Sequence, residues 1–164
     1  MEFFKPDYYF EHYSDISTEW LKKNNIKVIL SDIDSTLAPH DKLGDKHLVE
    51  WLKGIKENRI DVICISNNSE KRASDFSRAH DIRAIGQCSK PNTRKIEEFI
   101  RREGINKENT LILGDQLFTD VWVGKRLKIK TILVKPLGEH QPLGIKLKRI
   151  IENVWIKKWE LHKN

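Results

Sequence analysis

The chain has 164 residues, 30 Lys and Arg against 24 Asp and Glu for a formal charge of +6, and 38% hydrophobic residues. That length suits one core and leaves no room for two, and dense apolar runs such as Val28-Ile29-Leu30 exclude a disordered chain. No apolar stretch approaches the roughly 20 residues of a membrane span, and Glu2, Lys5 and Asp7 interrupt any signal-peptide core in Met1 to Phe10.

Cys64 and Cys88 form no CxxC, so neither a disulfide scaffold nor a zinc site is indicated, and a cytoplasmic location is expected. The positive charge sits at one end. From Lys125 onward eleven basic residues face three glutamates, which gives the tail +8 and the preceding body −2.

In chain order, Lys27–Asp32 reads as a buried strand and Lys46–Asn58 as a helix with Leu48, Val49, Trp51, Leu52 and Ile55 at helical spacing. Asp61–Ser66 is a second strand. A short helix follows over Ser69–His80, with Ser69 as N-cap and Arg72 and Arg78 outward. Ile82–Gly86 reads as the third strand, Thr93–Glu103 as a helix closed by Gly104, and Thr110–Gly114 as the fourth strand. A helix through Val121 and Val123 to Leu127 leads to the fifth strand, Ile129–Val134, which Pro136 stops.

This alternation predicts an α/β fold, a Rossmann-like doubly wound parallel sheet of about five strands. Residues 1–164 form a single domain in this reading. Its core spans about 27–135, its N-terminal extension 1–26 and a basic amphipathic helix about 143–161.

In such sheets ligands bind beyond the strand C-termini. Asp32 and Asp34 follow the first strand, Ser66 and Asn67 the second, Lys90 the third, and Asp115 and Asp120 the fourth. Carboxylates brought together repel unless a cation intervenes, and oxygen ligands suit a hard ion, Mg²⁺ being the cellular candidate. Ser66, the helix opening near Ser69 and Lys90 would form an anion cradle. Metal and cradle together describe phosphoryl transfer, with one carboxylate able to act as nucleophile. Taken singly, these carboxylates could be helix caps, Ser66 a turn former and Lys90 a solvated lysine. Their joint placement at strand ends is what those readings leave unexplained.

Asp32-Ile33-Asp34-Ser35-Thr36 resembles the DxDxT signature of the haloacid dehalogenase (HAD) superfamily. Ser66, Lys90 in SKPN and the run GDQLFTD from Gly114 to Asp120 resemble its other three motifs, in the same order. The resemblance implies that Asp32 is the nucleophile and Asp34 the general acid/base. It assigns phosphate binding to Ser66, Asn67 and Lys90, and Mg²⁺ to Asp32, the Asp34 backbone carbonyl and Asp115, with Asp120 in support. An Asp two positions after the nucleophile favours phosphate chemistry over dehalogenation, because an alkoxide leaving group needs an acid.

The 33 residues between Asp32 and Ser66 and the 23 between Ser66 and Lys90 cannot hold a cap domain. The site is therefore expected to be open, with Leu37 to Asp45 as its only flap and His40 near the leaving group. Together with Tyr13 to Leu21, the motifs resemble the YqeG-type, subclass IIIA HAD phosphatases, relatives of the mitochondrial phosphatidylglycerophosphate phosphatases. One departure is DIDST where DLDNTL is expected.

This resemblance implies a phosphorylated substrate, an anionic lipid in the leading reading. A metabolite or nucleic-acid-end phosphatase is the alternative, although no nucleic-acid module is recognisable. A receiver-like phosphoacceptor is a rival of another class, but its acceptor Asp follows the third strand rather than the first. A membrane-peripheral binding module is a further rival. In the C-terminal helix Leu147, Ile150, Ile151, Val154 and Trp155 share a face bordered by lysines, which would suit an anionic membrane interface. The same face could equally pack on the sheet. Phe3, Phe4, Tyr8, Tyr9 and Phe10 could add an aromatic contact, in the core or at a membrane.

Overall fold

The computed structural model describes residues 2–138 and 143–159. Strands β1 (Tyr8–Phe10), β2 (Val28–Ser31), β3 (Asp61–Ile65), β4 (Arg83–Ile85), β5 (Thr110–Gly114) and β6 (Lys130–Val134) form one sheet in the order β1-β6-β5-β2-β3-β4. Every pairing is parallel. The connecting helices are α1 (Thr18–Lys23), α2 (Lys46–Glu57), α3 (Glu70–His80), α4 (Arg94–Arg102) and α5 (Trp122–Leu127), followed by α6 (Leu143–Lys158). Glu160 and Leu161, the end of the expected C-terminal helix, lie outside the described residues.

The five expected strands are present, and a sixth was missed. Tyr8–Phe10 pairs with β6, Tyr8 opposite Ile132 and Phe10 opposite Val134. Tyr9 and Phe10 are therefore buried. Phe4 packs edge-on against Phe118 and Trp122. A membrane role for the N-terminal aromatics is thus left to Phe3 alone, which is exposed.

Alternating residues of each strand feed opposite layers. Ile29, Val62, Cys64, Leu111 and Leu113 join Leu21 of α1, Leu48, Leu52 and Ile55 of α2 and Phe76 of α3. Leu30, Ile63, Ile65 and Ile112 join Ile96, Phe99 and Ile100 of α4 and Val123 and Leu127 of α5. Burial on both faces is why these strands read as continuous apolar runs rather than alternating ones. It also leaves the carboxyl edge of the sheet as the place for polar chemistry. The direction of strand addition reverses around β2, with β3 on one side and β5 on the other, and that switch point opens a crevice.

The edge strand is held by a carboxylate. Asp7 accepts hydrogen bonds from the Thr131 backbone N–H and hydroxyl, both at 2.8 Å, and pairs with Lys125 at 2.7 Å. Burial alone would raise the Asp7 pKa, but the Lys125 and Thr131 hydrogen bonds outweigh it and hold the group below its ordinary value. The unfolded chain therefore binds this proton more tightly, so stability rises with pH here. The contribution is complete above the ordinary Asp value and lost as pH falls through the lowered one. Asp7→Ala is expected to cost about 1–2 kcal/mol at neutral pH, and the deficit should shrink in acid. Denaturant titrations at neutral and acidic pH check both points.

Candidate active site

The crevice at the switch point gathers the strand-end residues. A pocket of about 300 Å³ is lined by Asp32, Asp34, Ser35, His40, Ser66, Asn67, Asn68, Gln116 and Ile145. Asp32 leaves the end of β2, its backbone N–H donating to the Leu113 carbonyl of β5 at 2.9 Å. Ser35 turns the chain through a left-handed φ of 65°. Asn adopts that conformation more readily than Ser, which gives the departure from DLDNTL its physical content.

Lys90 is the hub of the buried charges. Its ammonium lies 3.0 Å from Asp32 Oδ1 and 2.6 Å from Asp120 Oδ1, with all three side chains nearly sealed from solvent. Burial alone would lower the lysine, but Asp120 and Asp32 reverse the sign and hold it charged. Asp32 is pushed well above the usual carboxylate range, first by burial, with Asp120 and Asp115 adding to it against the pull of Lys90. Asp115 is raised by burial and by Asp120. Asp120 can approach this closely because residue 114 is Gly, where a Cβ would meet the Asp120 side chain at 2.2 Å.

Asp32, Asp115 and Asp120 offer carboxylate oxygens within 4.8 Å of one another. Three buried carboxylates share two cations, buried Lys90 and half-buried Arg149, so the cluster retains negative charge. Its donors are all oxygen. Both properties fit a hard cation.

Asp34 faces the pocket from the other side. It accepts from Asn68 Nδ2 at 3.0 Å, from the Asp41 backbone N–H at 3.0 Å and from Arg72 Nη2 at 2.9 Å. Burial works upward on its pKa, but the Asn68, Arg72 and Asp41 hydrogen bonds win and hold it below its ordinary value. His40 Nδ1 is 3.9 Å from the same carboxylate. Ser66 Oγ accepts from the Asn68 N–H at 3.0 Å. Asn67 is occupied elsewhere: its amide holds the Lys90 backbone N–H at 2.6 Å and carbonyl at 3.0 Å. Cys88 is buried, its thiol pushed up to about 11 by burial, which leaves it unreactive at neutral pH.

Arg72 corrects an expectation. It does not point outward like Arg78. It lies over the Phe76 ring and reaches Asp34. The i, i+4 spacing from Arg72 to buried Phe76 was the available signal, since it puts Arg72 on the inner face of α3. Asn68 and Arg149 were also missed, and Thr36, in the DxDxT run, had been given no role. Thr36 Oγ1 donates to Asp115 Oδ1 at 2.7 Å. Arg149 of α6 pairs with the Asp115 carboxylate and donates to its backbone carbonyl at 2.8 Å. Glu152, one turn on, accepts the Leu117 N–H at 2.9 Å and the Phe118 N–H at 3.3 Å, and burial raises its pKa to about 7. These links bring α6 over the site.

The chain is similar to known phosphatases. A probable phosphatase, YqeG of Bacillus subtilis, is 35% identical over 152 residues, covering 92% of this chain and 88% of that one. The chain belongs to the YqeG-type phosphatases of the HAD superfamily. The HAD-hydrolase-like family model matches residues 87–151, from just before Lys90 through Arg149.

A phosphatidylglycerophosphate phosphatase of Arabidopsis thaliana (chloroplastic/mitochondrial) is 26% identical over 155 residues, 88% of this chain but 44% of that longer protein. The 3-deoxy-D-manno-octulosonate 8-phosphate phosphatase of Moraxella catarrhalis, solved with magnesium, phosphate and KDO, superposes with a TM-score of 0.51 at 16% identity, over 89% of this chain and 92% of that one. The last likeness establishes the HAD fold. For a YqeG-type chain the elements between motifs are spare: a loop and α2 lie between Asp34 and β3, and α3 and β4 lie between Ser66 and Lys90.

Proposed function

We propose that this HAD phosphatase is a Mg²⁺-dependent phosphomonoesterase that works through an aspartyl-phosphate on Asp32 and dephosphorylates phosphatidylglycerophosphate. The observation that carries the chemistry is that Asp32 and Asp34 line one open pocket, with Lys90 beside the first and Arg72 beside the second. Asp32 attacks phosphorus in line, forming its O–P bond as the bond to the leaving oxygen breaks, while Asp34 gives that oxygen its proton. Asp34 then takes a proton from water, which attacks the same phosphorus. Phosphate leaves and the Asp32 carboxylate returns. Lys90 stays protonated throughout and offsets charge on the phosphoryl oxygens.

Asp32, Asp115 and the Asp34 carbonyl would hold Mg²⁺, which when bound neutralises phosphoryl charge and orients the phosphate. Asp120 is bound up with Lys90 and positions it. Arg149 already satisfies Asp115 with positive charge, so Arg149→Ala is expected to tighten Mg²⁺ binding about tenfold, the factor that about 1.4 kcal/mol represents. Calorimetric titration reads this without turnover. Weaker binding in the variant would instead make Arg149 a support of the metal site.

The lipid headgroup reading draws support from the Arabidopsis relative and from a pocket that, among the described residues, no domain inserted between the motifs covers. The alternative is a broader metabolite or nucleic-acid-end phosphatase. Phosphate release from phosphatidylglycerophosphate in vesicles, compared with glycerol phosphate, sugar phosphates and 5′-phosphorylated oligonucleotides, tests it. A kcat/KM at least a hundredfold higher on the lipid is expected. Equal values across the set would overturn the lipid assignment and leave the phosphatase chemistry standing.

A further inference from the structure

α6 is amphipathic, yet it turns its apolar stripe away from the protein. Leu143, Leu147, Ile150, Ile151 and Val154 are 51% to 84% exposed, whereas Glu152 is 2% exposed. At about 100° per residue those five side chains fall within an arc of about 100°. The opposite face is already committed. Ile145 lines the active-site pocket, Arg149 and Glu152 make the polar contacts described above, and Trp155, Ile156 and Trp159 pack against Tyr9, Leu117, Val121 and Leu133. The outer stripe therefore cannot turn inward without breaking that docking. Hydrophobic stripes of this size on a folded surface mark interaction sites.

The charges beside the stripe indicate what covers it. Lys146 and Lys157 border one side and Lys148 the other, Lys158 follows in line with the stripe in the last turn, and all four are exposed. The one carboxylate of α6, Glu152, is turned inward, so every charged group on the outer surface of the helix is cationic. A water-soluble acidic partner would match the lysines but not the stripe, and a second copy would set lysines against lysines. A bilayer of anionic lipid matches both, taking the apolar residues among its acyl chains and the ammonium groups among its phosphates.

We infer that the outer face of α6 docks on an anionic lipid bilayer while its inner face remains over the active site. The pocket then opens beside the headgroup layer, because Ile145 belongs to the same helix and lines the pocket with Asp32, Asp34 and Ser66. This names the surface that serves the lipid-phosphatase reading and rests on it. Its test nevertheless needs no turnover.

The full chain is sedimented with vesicles of phosphatidylglycerol, which is anionic and carries no phosphomonoester, and with vesicles of phosphatidylcholine. Binding at least tenfold tighter to the anionic vesicles, and weakened by high salt, is expected. The double variant Leu147→Glu/Ile150→Glu should lose that binding at least tenfold with an unchanged unfolding midpoint, since both positions face solvent. Lys146→Glu/Lys157→Glu should lose it without touching the apolar stripe. Absence of binding by wild type, equal binding to both vesicles, or undiminished binding by both variants would overturn the inference. So would a wild-type dimer that Leu147→Glu/Ile150→Glu converts to monomer, which would assign the stripe to a second copy. Failure of phosphatidylglycerophosphate hydrolysis alongside intact docking would count against the substrate and leave the docking surface in place.

Discussion

Asp32→Asn is expected to abolish phosphate release, lowering kcat at least about 10⁴-fold, with the fold intact. Removing a nucleophile that acts in one unit with its partners costs about as much as removing the whole unit. The substitution also deletes a negative charge from a buried cluster in which Asp32, Asp115 and Asp120 repel one another. Lys90 keeps Asp120 at 2.6 Å, so the buried ammonium is not orphaned. Stability should therefore hold or rise while activity collapses. Thermal unfolding and an aryl phosphate assay on the same preparation separate the two effects. A variant that unfolds would make Asp32 structural, and one that retains a tenth of wild-type turnover would exclude it as nucleophile.

The second large effect concerns Asp34. Asp34→Asn should lower kcat by about 10²–10⁴ on alkyl phosphates, the range for losing a positioned acid/base. The loss should be smaller in the first step for aryl phosphates, whose leaving group needs little protonation. Phosphorylated enzyme should then accumulate, because the base for its hydrolysis is missing. A burst of phenolate followed by slow turnover is the kinetic sign, and equal losses on both substrate types with no burst would contradict it.

In the proposed mechanism Arg72, together with Asn68 and Asp41, tunes Asp34 as the acid. Transfer of a proton to the leaving oxygen requires protonated Asp34, so activity on alkyl phosphates falls as pH rises through its pKa. Burial pushes that pKa up, but hydrogen bonds from Asn68, Arg72 and Asp41 bring it below the ordinary value. Arg72→Leu relieves part of that pull and should move the alkaline fall of kcat/KM to higher pH. A profile that merely drops in height would make Arg72 a packing residue.

The candidate site at the sheet edge was legible because its signals are local. A continuous apolar run ending in Asp-x-Asp, or one ending in Gly-Asp, reports a buried strand and its polar terminus together. Ser69 declared itself as an N-cap and accepts the Arg72 N–H at 3.1 Å. Strand β1 escaped because three aromatic residues at an edge, tied in by Asp7 and Thr131 some 124 positions apart, carry no periodic pattern.

Arg72, Asn68 and Arg149 escaped for a different reason. Each acts at the end of a side chain whose direction depends on tertiary packing, so the spacing reveals at most which face of an element it occupies. The apolar grouping of Leu147, Ile150, Ile151 and Val154 was legible, but its direction was not, and Trp155, expected on the same face, packs inward. Core-facing is the usual outcome for such a stripe. Here buried Glu152 and half-buried Arg149 take the inner face because they satisfy backbone N–H groups of the Leu117–Val121 turn and the Asp115 carboxylate.

In the proposed mechanism phosphate passes through a covalent bond to Asp32. Borohydride reduction of enzyme quenched during turnover converts an acyl phosphate to homoserine, which peptide mass mapping locates. Homoserine at position 32, present with substrate and Mg²⁺ and absent without either, is expected. Steady turnover with Asp32 unmodified, or the label at another carboxylate, would contradict it.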